Sequence, residues 1–197
     1  GGAPHDPWIG GNNAPRLLQS APAGDFEVEA AFTSIPTQRI QMQETVIEGS
    51  GGEFLRSDFY SRSATSLYLF AAHVRPGSST VYTNRTIAVG NALFLRVGRA
   101  GNNWTITYSY DGSAYLPGAQ FIDSLQPTRL GLFAGNSTNN PAQMMSVDYF
   151  FNRASPIVPE DGGASETPAV LLDVGTQGLG TVPATPDPPG YAGGTHG

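Results

Sequence analysis

An all-β fold, an antiparallel two-sheet β-sandwich of jelly-roll type, is what this sequence predicts, and three observations carry that expectation. Apolar and polar residues alternate with a period of two over many short runs, the pattern of strands that bury one face. Turn-forming residues separate the runs, with 25 Gly and 16 Pro in 197 residues. No stretch sustains the 3.6-residue periodicity of an amphipathic helix. A chain of this length can enclose one sizeable core, and a single sandwich would use most of it.

The rest of the chain is organised around residues 54–74, FLRSDFYSRSATSLYLFAAHV, which read as two strand runs joined near residues 61–65. Side chains alternate across a strand, so Leu55, Ser57 and Phe59 share one face while Phe54, Arg56, Asp58 and Tyr60 share the other. In the second run Leu67, Leu69 and Ala71 oppose Tyr68, Phe70 and Ala72. The hairpin therefore offers a core side and a side that mixes polar with aromatic groups, and the second side is where function is expected.

Before it, residues 1–24 read as loop, with Trp8 and a short strand at residues 16–19. Residues 25–33 form the first clear strand, Phe26, Val28 and Ala30 inward and Glu27 and Glu29 outward. A second covers residues 39–48, where Gln41, Gln43 and Thr45 alternate with Ile40, Met42 and Val46, and a Gly-rich turn follows. After the hairpin, strands are expected at residues 80–88, 92–99, 104–110, 129–134 and 144–152. Asn and Gly tolerate positive φ, so Gly101-Asn102-Asn103 and Asp111-Gly112 mark turns. Residues 113–127 read as a loop with room for one helical turn at 121–125. Trp104 falls with Ile106 and Tyr108 on a core face.

From Arg153 the composition shifts. Residues 153–168 are a Pro/Gly/acidic linker, stiffened by proline, and residues 169–197 an extended tail with one short apolar strand candidate. Such a tail cannot build a core alone, so it is expected to lie against its own domain or a neighbouring copy. Residues 1–152 form the sandwich. The opening Gly1-Gly2-Ala3-Pro4 reads as the interior of a longer chain, either a fragment or one from which a leader and upstream domain were removed.

Composition narrows the function. All ten basic residues are Arg against sixteen acids, a net charge of −6, which disfavours nucleic acid as a partner because phosphate affinity needs a clustered positive field. Cysteine is absent, so no disulfide framework and no thiolate metal site exist. No run approaches the roughly 20 apolar residues of a membrane span.

An ordered set of segments gives a resemblance. His5-Asp6-Pro7-Trp8, Gly10-Gly11-Asn12-Asn13-Ala14-Pro15-Arg16, Asp25-Phe26-Glu27-Val28-Glu29, Phe54-Leu55-Arg56, Leu95-Arg96-Val97, Trp104 through Gly112, Ala134-Gly135-Asn136 and Val147 through Asn152 together resemble the concanavalin A-like lectin/glucanase superfamily. The branch most like it holds the regulatory-like or xylosidase-C-terminal-like domains of large secreted bacterial and archaeal proteins. The match runs over residues 4–152. The resemblance implies a non-catalytic appendage of a glycan-active or surface protein, extracellular or at the cell surface. Members of that family carry one or two strands ahead of the Trp-Gly-Gly-Asn-Asn region, and a sandwich without them would expose unpaired backbone. With the surplus tail strand, this raises the alternative of a structural or adhesive subunit that self-assembles by strand exchange.

Glucanases of the superfamily use Glu-x-Asp-x-x-Glu, one carboxylate attacking and another giving a proton. Here Glu27 and Glu29 stand at i and i+2, roughly 6–7 Å apart along a strand, and Phe32 replaces the last acid, so two solvated surface acids are the plainer reading. For binding, the polar face would gather Gln41, Gln43, Arg56, Asp58, Tyr60, Tyr68, Phe70 and Arg96, provided that these strands are neighbours. Sugars take flat aromatic surface against their C–H faces, and planar amides, carboxylates and guanidinium reach adjacent hydroxyls. A self-satisfied network, Asp58 paired with Arg56 or Arg96, is the competing account of the same residues. Trp8 serves either as a stacking platform or as a pin for its loop. No cofactor is expected. A calcium ion held by loop carbonyls, Asn12, Asn136 or Asp148 would suit such a sandwich, whereas His5, His73 and His196 are scattered and read as structural. The expected partner is thus a polysaccharide or glycoconjugate, with other copies of the chain as the alternative.

Overall fold

Each strand-forming run has two faces to cover, and the computed structural model shows how both are covered. It describes residues 7–9, 11–12, 14–136, 140–141, 143–155 and 170–173. The strands are β1 (Pro7–Trp8), β2 (Gly11–Asn12), β3 (Arg16–Ser20), β4 (Phe26–Phe32), β5 (Met42–Glu48), β6 (Phe54–Ser63), β7 (Ser66–Arg75), β8 (Ser78–Ile87), β9 (Leu93–Ala100), β10 (Asn103–Ser109), β11 (Leu116–Ile122), β12 (Arg129–Gly135), β13 (Met144–Asn152) and β14 (Val170–Asp173). Two antiparallel sheets stack as the predicted sandwich, one ordered β3-β12-β5-β6-β7-β8 and the other β11-β10-β9-β4-β13-β14. Strands β1 and β2 form a small separate ribbon.

Between the sheets lie the inward residues of the alternating runs. Leu55, Phe59, Leu67 and Leu69 of the first sheet meet Phe32, Leu95, Trp104 and Ile106 of the second. Phe32 meets Phe59 edge-on at 6.1 Å and Phe26 meets Trp104 at 6.0 Å, geometries that aromatic quadrupoles favour. Trp104 is fully buried and its Nε1 donates to the Asp123 carbonyl at 3.2 Å, so its polar edge is satisfied. Each such large apolar side chain contributes on the order of 1.5–3 kcal/mol by leaving water.

The outward face of the first sheet is also closed over. Met42, Val46, Phe54, Tyr60, Ala72, Val74 and Phe133 form a second buried cluster with Ala14, and Trp8, Ile40 and Phe70 pack on it. The N-terminal ribbon supplies part of this cover, and the Ile9 carbonyl accepts from Gly77 N at 3.0 Å to hold it against the β7–β8 turn.

Two expectations need correction. Residues 116–122 form an edge strand where a loop was expected, and 121–125 hold no helical turn. Pro117 and Gly118 hide the alternation, yet an edge strand tolerates proline, and the missing Cβ of Gly118 lets the backbone lie against the Ile106 carbonyl. Strand β5 begins at Met42, not at 39, because Arg39 and Ile40 form a turn in which Ile40 takes φ +61°. The tail's apolar run, residues 170–173, pairs antiparallel with β13 of the same chain, Met144 opposite Asp173. The rest of the tail, most of the linker, and His5 and His196 lie outside the described residues.

Candidate functional site

Register assembles the site. Antiparallel pairing sets Met42 opposite Tyr60, Glu44 opposite Asp58 and Val46 opposite Arg56, and then Asp58 opposite Phe70 and Tyr60 opposite Tyr68. All of these side chains therefore stand on the outward face of the first sheet, above which a cavity of about 330 Å³ opens. Trp8, Tyr60 and Phe70 give it aromatic walls, Ile40 and Met42 aliphatic ones, and Arg39, Arg56, Arg62 and Asp58 its charge.

Arg56 is the hub at the base. Its Nε donates to Asp58 Oδ2 at 3.0 Å, its Nη2 lies 3.0 Å from both Asp58 Oδ2 and Glu44 Oε2, and its Nη1 donates to the Pro7 carbonyl at 3.2 Å. The guanidinium also stands over Phe70 at 5.3 Å and over Trp8 and Phe133 at 5.9 Å, a cation held among ring faces. Glu44 and Asp58 are both fully buried. Burial pushes the Glu44 carboxyl well above the usual carboxylate range; the Arg56 charge opposes this and the Asp58 charge adds to it. Burial raises Asp58 as well, against the pull of Arg56. Two carboxyls around one cation share a proton more readily than they bear two charges.

The aromatic wall is equally fixed. Tyr60 stacks on Tyr68 at 5.0 Å with 22° between planes and donates from its hydroxyl to Asn84 Oδ1 at 2.8 Å. Trp8 tilts on Phe70 at 6.0 Å and 50°. Trp8 thus both pins its segment to the sheet and presents part of its ring to the cavity. Arg62 lies 4.9 Å from the Tyr68 ring.

The structure thus gathers Trp8, Arg56, Asp58, Tyr60, Tyr68 and Phe70 on one face, although Tyr68 backs Tyr60 without lining the cavity. Gln41, Gln43 and Arg96 do not join them. Gln43 stands opposite Phe59, on the face turned to the core, where its Oε1 accepts from Ser34 Oγ at 3.0 Å. Gln41 Oε1 accepts from the Thr37 and Gln38 amides at 3.1 and 2.9 Å and braces a turn. The parity of β5 is responsible: its even residues, Met42 and Glu44, take the outward face. Arg96 belongs to β9 of the other sheet, opposite Glu29.

Sequence reasoning missed Arg39, Ile40, Met42, Glu44 and Arg62. Arg62 continues the even series 56, 58, 60, so alternation could have found it. Arg39 and Ile40 carried no such signal, since a clasp delivers their turn: Ile40 N donates to the Ser61 carbonyl at 2.8 Å, and Ser61 N donates to the Gln41 carbonyl at 3.0 Å. A β-branched residue at positive φ is costly, roughly 1–2 kcal/mol, and persists here because both bonds hold it.

On the outward face of the second sheet, Glu29 is held by Arg96 Nε at 2.6 Å and by the hydroxyls of Tyr115 and Tyr149, each at 2.7 Å. Burial alone would raise this carboxyl; the bonds from Tyr115, Tyr149 and Arg96 together hold it below its ordinary value. Glu27 pairs with Arg153 Nη1 at 2.5 Å. His73 is buried against Asp123, Nδ1 to Oδ2 at 2.6 Å. Among the described residues no group of three or more His, Asp or Glu side chains could hold a metal. The Asn136 amide is engaged with Asn140 and the Pro141 carbonyl.

Neither a family model nor a curated protein matches the sequence. Solved structures do match in shape. A mutant of the GH43 protein BlXynB from Bacillus licheniformis superposes with TM-score 0.61 at 16% identity, over 71% of this chain and 29% of that one. A xylan β-1,4-xylosidase from Bacillus halodurans superposes with TM-score 0.52 at 14% identity, over 62% of this chain and 26% of that one. The likeness is one of fold. The chain spans less than a third of the length of these proteins, and at such identities what they share with it is the β-sandwich.

Proposed function

We propose that this chain is a non-catalytic carbohydrate-binding module of an exported multidomain protein, and that it holds its glycan in the cavity between the N-terminal ribbon and the central hairpin. One observation carries the reading: flat aromatic walls and planar hydrogen-bonding groups converge on one open hollow, its volume at the lower end of the ~300–1,000 Å³ usual for small-ligand sites. Room for a sugar unit exists, with Trp8 and Phe70 for its C–H faces and the exposed Arg39 and Arg62 for its oxygens. The partial likeness in fold to a xylan β-1,4-xylosidase supports the glycan context. The acids first considered for hydrolysis favour binding over cleavage, because Glu29 is kept ionised by three donors and is therefore a poor proton donor. Glu44, whose carboxyl burial pushes well above the usual carboxylate range, is sealed beneath Arg56 and does not line the cavity.

Isothermal titration of the full chain against a panel of soluble polysaccharides tests this. At least one is expected to bind, and Trp8→Ala is expected to weaken it about five- to tenfold. Absence of binding to any member of the panel would sink the reading, and reducing-sugar release would replace it with a catalytic one.

A further inference from the structure

Among ten arginines in an acidic chain, pairing is the rule. Arg16, Arg56, Arg75, Arg96, Arg129 and Arg153 each stand within ion-pair distance of a carboxylate. Arg85 and Arg99 donate to backbone carbonyls instead. That leaves Arg39 and Arg62, whose exposed guanidiniums have neither a carboxylate nor a hydrogen-bond acceptor among the described residues, and both line the cavity. Random placement of two unpaired cations would not favour the mouth of one hollow. The clasp of Ser61 on the 38–41 turn puts them there: it carries Arg39 to the cavity wall while the even parity of β6 carries Arg62. The one acid in the lining, Asp58, is fully buried and already engaged with Arg56 at 3.0 Å, so it neutralises the floor and not the rim.

Resting on the glycan reading above, we infer that this site selects an anionic glycan, with Arg39 and Arg62 binding the carboxylate or sulfate of an acidic sugar whose ring lies against Trp8 and Phe70. A guanidinium presents its N–H groups in a planar fork that fits two oxygens of such an anion, and charge-assisted hydrogen bonds are about twice as strong as neutral ones. A neutral sugar would leave both cations without an anionic partner. The choice matters more in this chain than in a basic one, because a net charge of −6 repels polyanions everywhere except where a local positive rim reverses the field.

The test compares oligogalacturonate, a sulfated galactan oligosaccharide and a neutral xylo-oligosaccharide of similar length in titrations at low and high salt. At least one acidic ligand is expected to bind about tenfold tighter than the neutral one at low salt, the advantage shrinking as salt screens it. Whichever acidic ligand wins identifies the anion as carboxylate or sulfate. The double variant Arg39→Gln/Arg62→Gln should lose the acidic-over-neutral ratio, whereas Arg153→Gln, on the opposite sheet, should keep it. Equal affinity for neutral and acidic ligands, or a ratio untouched by the double variant, would overturn the inference while leaving a glycan receptor in place. Binding of none of the three would remove both.

Discussion

Glu44 and Asp58 face each other directly across β5 and β6, both fully buried, with the Arg56 guanidinium 3.0 Å from each. Directly opposed side chains on an antiparallel pair lie about 5 Å apart at Cβ, so like charges there are destabilising. One positive charge cannot offset two negative ones, and the fold resolves the conflict by raising both carboxyls.

Stability should therefore fall as pH rises. Above the ordinary carboxylate value of 4.5 the unfolded chain releases the Glu44 proton that the folded chain keeps, so the folded state binds more protons and its advantage is lost as pH climbs through the raised value. Thermal denaturation across mildly acidic to alkaline pH should show this slope, and Glu44→Gln, which mimics the protonated form, should flatten it. An identical slope in the variant would mean that Glu44 is not the group responsible.

Removing Arg56 should be costly for the opposite reason. Arg56→Ala leaves two carboxyls buried without their cation, a loss of about 3–5 kcal/mol by analogy with broken buried pairs. Adding Glu44→Gln to Arg56→Ala should recover part of that loss in urea titrations, since one of the stranded acids is then gone. A double variant no better than the single one would contradict the account of the base of the site.

Acid sensitivity should come from the other sheet. Glu29 is held below its ordinary pKa, so it contributes stability present above that value and lost as pH falls through the lowered one. Tyr149→Phe removes one donor at 2.7 Å and should cost about 1.5–3 kcal/mol at neutral pH, and the penalty should shrink once Glu29 protonates. A penalty that stays constant into the acid range would indicate that the hydroxyl does not act through the Glu29 carboxylate.

Gly131→Ala should dislodge the edge of the first sheet. A Cβ there would overlap the Leu17 carbonyl oxygen, a backbone atom that cannot swing aside, so β3 must move away from β12. The expected loss is at least about 1–3 kcal/mol, with faster hydrogen exchange concentrated in residues 16–20. Protection there equal to that of the parent would show that the sheet absorbs the methyl elsewhere.

Residues 93–97 show what the sequence by itself determined. Leu93, Leu95 and Val97 alternate with Phe94 and Arg96, and they lie in the core as that alternation requires. Turns were legible for an equally local reason, since Gly101 and Gly112 sit at φ +60° and +73°, where a Cβ would be strained. Alternation, however, specifies only which residues of one strand share a face. It says nothing of which strands lie side by side, and so Arg96, whose parity was read correctly, landed on the sheet opposite Arg56. The same blindness put Gln43 among the outward residues of β5 and left Glu44 out. Tertiary structure decided these matters, because strand order and the choice of buried face follow from how two sheets fill a common core, and because the Ser61 clasp joins a turn to a hairpin at long range. The arginines of the cavity rim are neighbours for that reason, twenty-three positions apart in the chain and brought together only by the packed sheet.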